Sequence, residues 1–201
     1  MFESGQFVAD VLGDVDDDQV QPNGVDLRLS AVYEQVGAGC IGTDGKTVGE
    51  RRELAAESER YRLEPGGYVV EYADTVRIPE GHVGFLYPRS SLLRNSCMLD
   101  TAVWDAGYEG RGEGLLEVYH TVELERGARI AQLVLADAEH ADTYDGSYQR
   151  ENIDSASSYV DLDDVAAVLD DGDDSESVTF TVEGHDVIVD GGGHVTVASS
   201  D

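Results

Sequence analysis

Cationic side chains are scarce in this sequence. The 201 residues include 13 lysines and arginines against 42 aspartates and glutamates, a formal net charge of −29, and Lys46 is the only lysine. A surface of this sign repels nucleic-acid backbones, so we expect no nucleic-acid partner. Acids on this scale either mark a disordered tail or keep a folded surface hydrated in concentrated salt, where repulsion is screened. Because the acids lie within strand-like segments, we favour a folded protein of a halophilic cytoplasm.

Cysteines and long apolar runs are also few. Cys40 and Cys97 lie far apart and form no Cys-x-x-Cys pair, so we expect no disulfide framework and a reducing compartment. No apolar run approaches membrane-spanning length, and the first residues show no basic leader before an apolar core. The five histidines lack metal-ligand spacing. No His-x-Glu with a Pro-Cys-x-x-Cys signature appears, which excludes a zinc-dependent deaminase. The chain also lacks a Walker-type phosphate loop and a nucleophile elbow. We therefore expect neither a membrane nor a zinc site.

Short strands with regular turn signals dominate the pattern. The segment VQPNGVDLRLSAVYEQ alternates, with Val25, Leu27 and Leu29 on one face and Asp26 and Arg28 on the other, after a Pro-Asn-Gly turn. Residues 1–12 are predicted to form a short helix, and SLLRNSC one or two helical turns. Residues 37–60 are predicted to contain loops and edge strands. The sequence thus predicts an all-β sandwich or barrel of jelly-roll type.

The second half of the chain continues the strand pattern and then changes. LDTAVWDAGYEG is predicted to be a strand–turn–strand unit, and GLLEVYHTVEL and ARIAQLVLADA one strand each. Residues 154–201 contain no lysine or arginine. We therefore divide the chain into a β domain at 1–153 and an acidic appendage at 154–201. In the appendage, DLDDVAAVLDD is predicted to be a short helix, and residues 177–199 a hairpin or three small strands.

A basic and hydroxyl-rich segment is the first candidate site. Arg89, Ser90, Ser91 and Arg94 fall within seven residues of a chain that is poor in cations. Guanidinium and hydroxyl groups bind phosphate oxygens through charge-assisted hydrogen bonds. The alternative is a serine cap on a short helix with surface arginines. We favour a phosphate site, because solubility does not explain why these arginines cluster.

Two residues of the WDAGYEG turn are candidates for chemistry near a sugar. Asp105 could orient and deprotonate a water molecule, although Asp-Ala-Gly is also ordinary turn chemistry. Tyr108 could lie flat against a deoxyribose, or it could be a half-buried strand tyrosine. A triphosphate bound beside an activated water suits a nucleotide.

Three further polar residues interrupt apolar strands. Asp26 could hold a magnesium-bound water, or it could simply be solvated. Gln132 in ARIAQLVL needs a polar partner, which could be a ligand or an internal hydrogen bond. Glu117 in LLEVY would have a raised pKa if it were buried, as a proton-transferring group requires, and would have no role on an exposed edge.

Five motifs in order resemble the homotrimeric dUTPase and dCTP deaminase superfamily. They span roughly residues 19–152 and read NGVDLRL, PRSSLLR, TAVWDAGYEG, GARIAQLVL and YDGSYQREN. The resemblance implies a homotrimer of distorted jelly-roll (β-clip) barrels, each with a short acidic C-terminal appendage, and active sites between subunits. It also implies a cytoplasmic enzyme with Mg²⁺ as the cofactor and dUTP, or possibly dCTP, as the substrate.

The resemblance assigns a role to each candidate. Asp105 would orient the water that attacks the α-phosphate of dUTP, and Tyr108 would pack under the deoxyribose. Backbone groups of Ala102, Val103 and Trp104 would read the uracil edge. The remaining candidates would hold phosphates (Arg89, Ser90, Ser91, Arg94, Gln132), hold the metal through water (Asp26), or close over the nucleotide (Tyr144, Tyr148, Gln149, Arg150).

The choice between branches of the superfamily depends on a few positions. Glu117 falls where dCTP deaminases carry their catalytic glutamate, and Ser90 and Arg94 match that branch too. Against it, the strand after Asp105 carries about two extra residues, at RGEG, and Ser147 and Glu151 replace the Lys and Gln that deaminases favour. We therefore expect a dUTP diphosphatase that yields dUMP and pyrophosphate, with a dCTP deaminase or bifunctional enzyme as the alternative. A calcium- or partner-binding acidic β domain is a third, non-enzymatic reading.

Overall fold

The structure is a computed structural model that describes residues 1–43, 45–139, 142–153, 177–182, 185–190 and 194–199. Contacts between residues divide the chain into two compact units, Met1–Tyr144 and Asp145–Asp201, which are described separately. The described part contains two helices, α1 (Gly5–Leu12) and α2 (Ser90–Arg94). Its strands in the first unit are β1 (Val20–Gln21), β2 (Gly24–Gln35), β3 (Cys40–Ile41), β4 (Lys46–Thr47), β5 (Arg51–Glu53), β6 (Arg60–Leu63), β7 (Gly66–Tyr72), β8 (Val76–Arg77), β9 (His82–Pro88), β10 (Cys97–Asp100), β11 (Glu109–Gly110), β12 (Glu113–Val118), β13 (Val122–Glu125) and β14 (Arg129–Asp137).

One large antiparallel sheet organises the first unit. Its strands follow the order β10-β12-β7-β2-β14-β9, and β1 and β5 also pair with β2. The long strand β2 pairs with β14 through its first half and with β7 through its second half. Its apolar residues Val25, Leu27 and Leu29 are fully buried in a core that continues into β7, β12 and β14. The predicted all-β, barrel-like fold is therefore confirmed.

The N-terminal helix is shorter than the predicted span 1–12. It begins at Gly5, where the Ser4 hydroxyl accepts a hydrogen bond from the Phe7 amide at 3.2 Å, while Phe2 forms a β-bridge with Ala136. A Cβ at Gly5 would lie 1.6 Å from the Gln21 carbonyl oxygen. Only glycine therefore lets α1 approach the β1–β2 hairpin so closely. The first residues extend along β14 because the sheet edge takes up their backbone groups.

The segment GLLEVYHTVEL is two strands rather than the one that we predicted. β12 ends at Val118, and β13 begins at Val122 and pairs with β6 instead of β7. The apolar pattern runs through both strands, so the change of partner is set by long-range pairing and not by local sequence. No helix in the described part of the chain is long and apolar enough to cross a membrane.

The described strands of the second unit form one small sheet. Its strands β15 (Ser177–Val182), β16 (His185–Asp190) and β17 (Val195–Ser199) pair in an antiparallel meander. Of the two predicted alternatives, three strands is correct. The helix predicted for DLDDVAAVLDD lies outside the described residues.

Candidate active site

A row of polar residues crosses the large sheet on the face opposite the core. Asp26 of β2 lies opposite Gln132 of β14, and Gln132 lies opposite Tyr87 of β9. Because successive residues of a strand point to opposite faces, Arg89, two residues after Tyr87, reaches the same face. We call Asp26, Gln132, Tyr87 and Arg89 the polar row.

Asp26 is buried, not solvated. Its side chain is 2% exposed, and its Oδ2 accepts a short hydrogen bond from the Arg89 guanidinium and lies 3.7 Å from Arg129 Nη1. Burial raises the pKa of the Asp26 carboxyl, although both arginines lower it in part. The solvated alternative is therefore wrong, because the strand after the Pro-Asn-Gly turn lies beneath two guanidinium groups.

Gln132 is half-buried in the centre of the row. Its side chain makes no hydrogen bond within the described residues. The alternative of an internal hydrogen bond is thus not found there, and its amide remains available to a ligand. Tyr87 beside it is 53% exposed. Sequence analysis missed Tyr87, although its position just before the Pro-Arg-Ser-Ser segment was a usable signal.

The Arg-Ser-Ser segment turns from β9 into α2. Arg89 is the N-cap residue of this helix, and its side chain makes no capping hydrogen bond, so the serine-cap alternative does not hold. Ser90, Ser91 and Arg94 are exposed, and Arg94 has no ion-pair partner in the described part. Ser91 also lines a cleft of about 520 Å³ together with Arg129, Arg62 and neighbouring residues of β13. The segment thus presents hydroxyls and cationic charge to solvent.

A buried network that the sequence did not reveal supports this face. The Asp74 carboxylate accepts hydrogen bonds from the Arg28 amide at 2.6 Å, from Arg28 Nε at 2.9 Å and Nη2 at 2.6 Å, and from Gln19 Nε2 at 3.1 Å. Gln19 also donates to the Asp26 carbonyl at 2.8 Å. Asp74 and Gln19 thereby fix the backbone that carries Asp26. Because Gln19 and Asp74 lie far apart in sequence, no local pattern predicted that they would contact each other.

The second candidate element is the turn at residues 101–108, which we call the Asp105 turn. Asp105, Ala102 and Val103 are exposed, whereas Trp104 is 6% exposed. The Trp104 amide and carbonyl are both bonded to Gly84, at 3.1 and 2.8 Å. Of the three residues expected to read a base edge, Trp104 therefore has both of its backbone groups hydrogen-bonded to Gly84.

Aromatic rings pack in series behind the Asp105 turn. Trp104 meets Tyr108 edge-on with ring centroids 4.9 Å apart, and Tyr108 meets Tyr144 at 5.7 Å. Tyr108 is 6% exposed in the single chain, so it matches a buried tyrosine more closely than a half-buried one. The Tyr144 amide donates to the Ala106 carbonyl at 2.7 Å. The segment that carries Tyr144 is thus anchored on the Asp105 turn.

Glu117 lies on the outer face of β12. It is half-buried, opposite Met98 of β10 and Gly67 of β7, and it accepts a hydrogen bond from the Tyr119 hydroxyl at 3.0 Å. This bond raises the pKa of the exposed Tyr119 hydroxyl. Glu117 therefore meets neither sequence expectation fully, since it is neither buried nor alone on an edge.

The backbone of Arg89 lies apart from the Asp105 turn within one chain. Trp104 pairs with Gly84, whereas Arg89 lies five positions further along the chain, roughly 16 Å by strand rise. Tyr148, Gln149 and Arg150 belong to the second unit, in a run of turns at 147–153. Within one chain the Arg89 backbone is therefore separated from the Asp105 turn.

A second set of potential metal ligands lies at the far end of β14. Glu3, His82 and Asp137 have ligand atoms within 4.8 Å of one another. The amino group of Met1 already contacts Asp137 at 2.6 Å. This cluster includes none of the predicted site residues, whereas Asp26 offers its carboxylate on the polar row beside the free amide of Gln132. A carboxylate and an amide oxygen suit a hydrated magnesium ion.

Comparisons with known proteins agree on the family. The dCTP deaminase-like family model matches residues 2–138. A probable deoxyuridine 5'-triphosphate nucleotidohydrolase of Halobacterium salinarum is 57% identical over 161 residues, 77% of this chain and 98% of that protein. The deoxyuridine 5'-triphosphate nucleotidohydrolase of Methanocaldococcus jannaschii is 37% identical over 67% of this chain and 90% of its own length.

A solved structure shows the same fold. The 2'-deoxycytidine 5'-triphosphate deaminase of Agrobacterium tumefaciens superposes with a TM-score of 0.53 at 22% identity, over 68% of this chain and 48% of that chain. The chain therefore belongs to the dCTP deaminase-like family, the superfamily of dUTPases and dCTP deaminases that its five motifs resemble.

Proposed function

We propose that this protein is a dUTP diphosphatase that hydrolyses dUTP to dUMP and pyrophosphate, limits uracil in DNA and supplies dUMP for dTMP synthesis. The observation that carries the proposal is the 57% identity to a haloarchaeal nucleotidohydrolase over 98% of its length. The exposed Asp105 and the exposed Ser90, Ser91 and Arg94 supply the two kinds of group that this reaction needs.

The polar row and α2 bind the triphosphate. Arg89 and Arg94 supply positive charge, Ser90 and Ser91 supply hydroxyl donors, and the free amide of Gln132 donates to a phosphate oxygen. Asp26 would hold a magnesium ion through one of its waters, and the ion would supply positive charge to the triphosphate. These residues hold the nucleotide in place and leave its α-phosphorus open to attack.

Asp105 performs the proton step. Its exposed carboxylate accepts a hydrogen bond from a water molecule and takes the proton as the water oxygen bonds to the α-phosphorus. The bond between the α-phosphorus and the bridging oxygen breaks, and pyrophosphate leaves with the electron pair. Holding the water and the phosphorus in line removes most of the entropic cost of their encounter.

The Asp105 turn recognises the nucleoside. The Tyr108 ring lies against the deoxyribose, and because Gly84 occupies the Trp104 backbone, the amides and carbonyls of Ala102 and Val103 read the uracil edge. Tyr144 begins the closing segment, which continues through Tyr148, Gln149 and Arg150 over the nucleotide.

Assembly of a homotrimer completes the site. Because Asp105 and Arg89 lie far apart in one chain, a second subunit must bring a polar row to each Asp105 turn. In this proposal residues 1–153 form the catalytic domain, and residues 154–201 an acidic appendage outside the chemistry. The enzyme works in the cytoplasm of a halophile, where salt screens its −29 charge.

The first prediction concerns Asp105. Asp105→Asn keeps the shape of the side chain but cannot take the proton, so we expect turnover of dUTP to fall at least about 10³-fold. Affinity for a non-hydrolysable dUTP analogue should stay within about threefold. Product analysis by ion-exchange chromatography in high salt, with calorimetry of the analogue, measures both. Asp10→Asn, on the exposed face of α1, is the matched control, and full activity in Asp105→Asn would refute the mechanism.

A dCTP deaminase is the second candidate, and the position of Glu117 favours it. Glu117 is half-buried on β12 and hydrogen-bonded to Tyr119, so it could exchange a proton with a base presented by a neighbouring subunit. The same product analysis with dCTP decides between the two activities. Formation of dUTP or dUMP from dCTP that Glu117→Gln abolishes would establish the deaminase. Unchanged dCTP would leave the diphosphatase alone.

A further inference from the structure

One carboxylate on the polar row is shared by two guanidinium groups. Asp26 Oδ2 is bonded to Arg89 and lies 3.7 Å from Arg129 Nη1. The side chains of the arginines are 30% and 32% exposed, whereas that of Asp26 is 2% exposed. The arginines therefore have room to move, and Asp26 has almost none.

This arrangement opposes the binding of a triphosphate. While Asp26 neutralises it, Arg89 offers little net charge to a phosphate, and the Asp26 carboxylate itself repels an incoming anion. Inside a protein such a repulsion is weakly screened. Binding is therefore stronger if Arg89 leaves Asp26 and if a cation replaces it there.

The two arginines differ in how firmly they are fixed. Arg129 Nη1 donates to the Asp18 carbonyl and lies 3.5 Å from the Asp18 carboxylate. Arg89 has one polar side-chain partner in the described part, and that partner is Asp26. Arg89 is consequently the mobile member, and Arg129 remains beside Asp26 as a counter-ion after Arg89 departs.

We propose that the Asp26–Arg89 ion pair is a resting contact that opens when the nucleotide binds, so that Arg89 passes to a phosphate and Asp26 becomes free for a metal-bound water. Magnesium and nucleotide then favour each other's binding, because each takes one partner of the same pair. This inference rests on the proposed function and adds to it the coupling between the two ligands.

Calorimetry of a non-hydrolysable imido analogue of dUTP tests the proposal, in high salt with either magnesium chloride or EDTA. In the wild type we expect magnesium to tighten binding by about tenfold or more. In Asp26→Asn, Arg89 no longer leaves a charged partner, so binding in EDTA should tighten several-fold and the effect of magnesium should shrink to about twofold or less. Asp26→Ser replaces this variant if the asparagine protein does not fold.

Two controls assign the effect to this pair. Glu113→Gln changes another partly buried carboxylate–arginine pair, with Arg51 and without contact to Asp26, and it should keep the magnesium effect of the wild type. In an Arg89→Gln background, Asp26→Asn should no longer tighten binding in EDTA, because the arginine that it releases is absent.

The remaining outcomes overturn the proposal in distinguishable ways. Weaker binding of Asp26→Asn in EDTA would mean that Asp26 holds Arg89 in its bound position. A full magnesium effect in Asp26→Asn would mean that the metal acts elsewhere. If either result is obtained while the wild type still hydrolyses dUTP, the proposed function stands, but the proposal that Arg89 passes from Asp26 to a phosphate is refuted. A wild type that neither binds the analogue nor hydrolyses dUTP would refute both the opening of the ion pair and the proposed function.

Discussion

At the scale of single residues, a half-buried carboxylate outside the proposed site shows how the acidic composition lowers stability. Glu71 of β7 lies directly opposite Glu113 of β12 and accepts a hydrogen bond from the Tyr33 hydroxyl at 3.1 Å. Burial raises the pKa of the Glu71 carboxyl, and Glu113 adds to this effect, while hydrogen bonds from Tyr33 and Ser30 oppose it. The folded state thus holds the Glu71 proton more tightly than the unfolded chain does.

Glu71→Gln should therefore stabilise the fold at neutral pH. An acid with a raised pKa binds more protons in the folded state, so its contribution to stability falls as pH rises from the unfolded pKa through the folded one. Glutamine does not titrate, so this pH-dependent loss of stability disappears, and its amide oxygen still accepts the Tyr33 hydrogen bond. We expect a melting temperature a few degrees above wild type near neutral pH, with the gain vanishing as the pH approaches the ordinary range of a glutamate.

Thermal melts at constant high salt over a series of pH values measure the gain. Glu80→Gln, an exposed position, is the control and should show no gain at any pH. A Glu71→Gln gain that is the same at every pH would show that the effect comes from packing rather than from the proton.

At the scale of elements, the Asp105 turn and the segment after β14 fit together through a glycine. Gly107 has φ +87°, and a Cβ there would lie 2.8 Å from Thr143 Cβ and 3.3 Å from the Tyr144 amide nitrogen. The turn therefore needs glycine twice, once for its backbone conformation and once to let the segment approach. In the proposed enzyme this contact sets where the closing segment begins.

A pair of glycine substitutions separates these two needs. Gly81 has φ +78°, and a Cβ added there would meet no described atom within 4 Å, so Gly81→Ala should cost only the conformational strain, about 1–2 kcal/mol. Gly107→Ala adds displacement of Thr143 and Tyr144, and should cost about 1 kcal/mol more. It should also raise the KM for dUTP. Chemical denaturation and steady-state kinetics measure these effects, and equal costs with equal KM values would refute the docking role.

Local signals predicted the elements better than their partners. The Pro-Asn-Gly turn, the alternation in β2 and the helical turns after Arg89 follow from nearby residues, and the structure confirms them. The burial of Asp26 beneath two arginines, the Trp104–Gly84 bridge and the departure of β13 to β6 all depend on segments far apart in sequence. Motif order identified the family, but it could not show that Arg89 is already paired.

At the scale of the whole molecule, the separation of Arg89 from the Asp105 turn leads us to expect that activity requires an assembly of subunits. Closed cyclic oligomers place one surface of each subunit against a different surface of the next. A trimer of this kind would bring the polar row of one subunit to the Asp105 turn of its neighbour three times. No single chain would then carry a working site.

Mixing two inactive variants tests this arrangement. Arg89→Ala and Asp105→Asn should each be inactive alone. After both are unfolded together and refolded in salt at equal amounts, about a quarter of the sites should pair an intact Asp105 with an intact Arg89, giving about a quarter of wild-type activity. Mixing the same variants without unfolding is the control. Activity that stays at background after co-refolding would place both groups in one chain.

The packing of the one tryptophan has a practical consequence. Trp104 touches Tyr108 and lies against Gly112, where an added Cβ would come within 2.1 Å of its ring. All indole fluorescence of the chain therefore originates beside the proposed nucleoside pocket, in surroundings too tight to admit a dye. The protein therefore carries an intrinsic fluorescent probe at one position, and its emission can be measured at high salt without an added label.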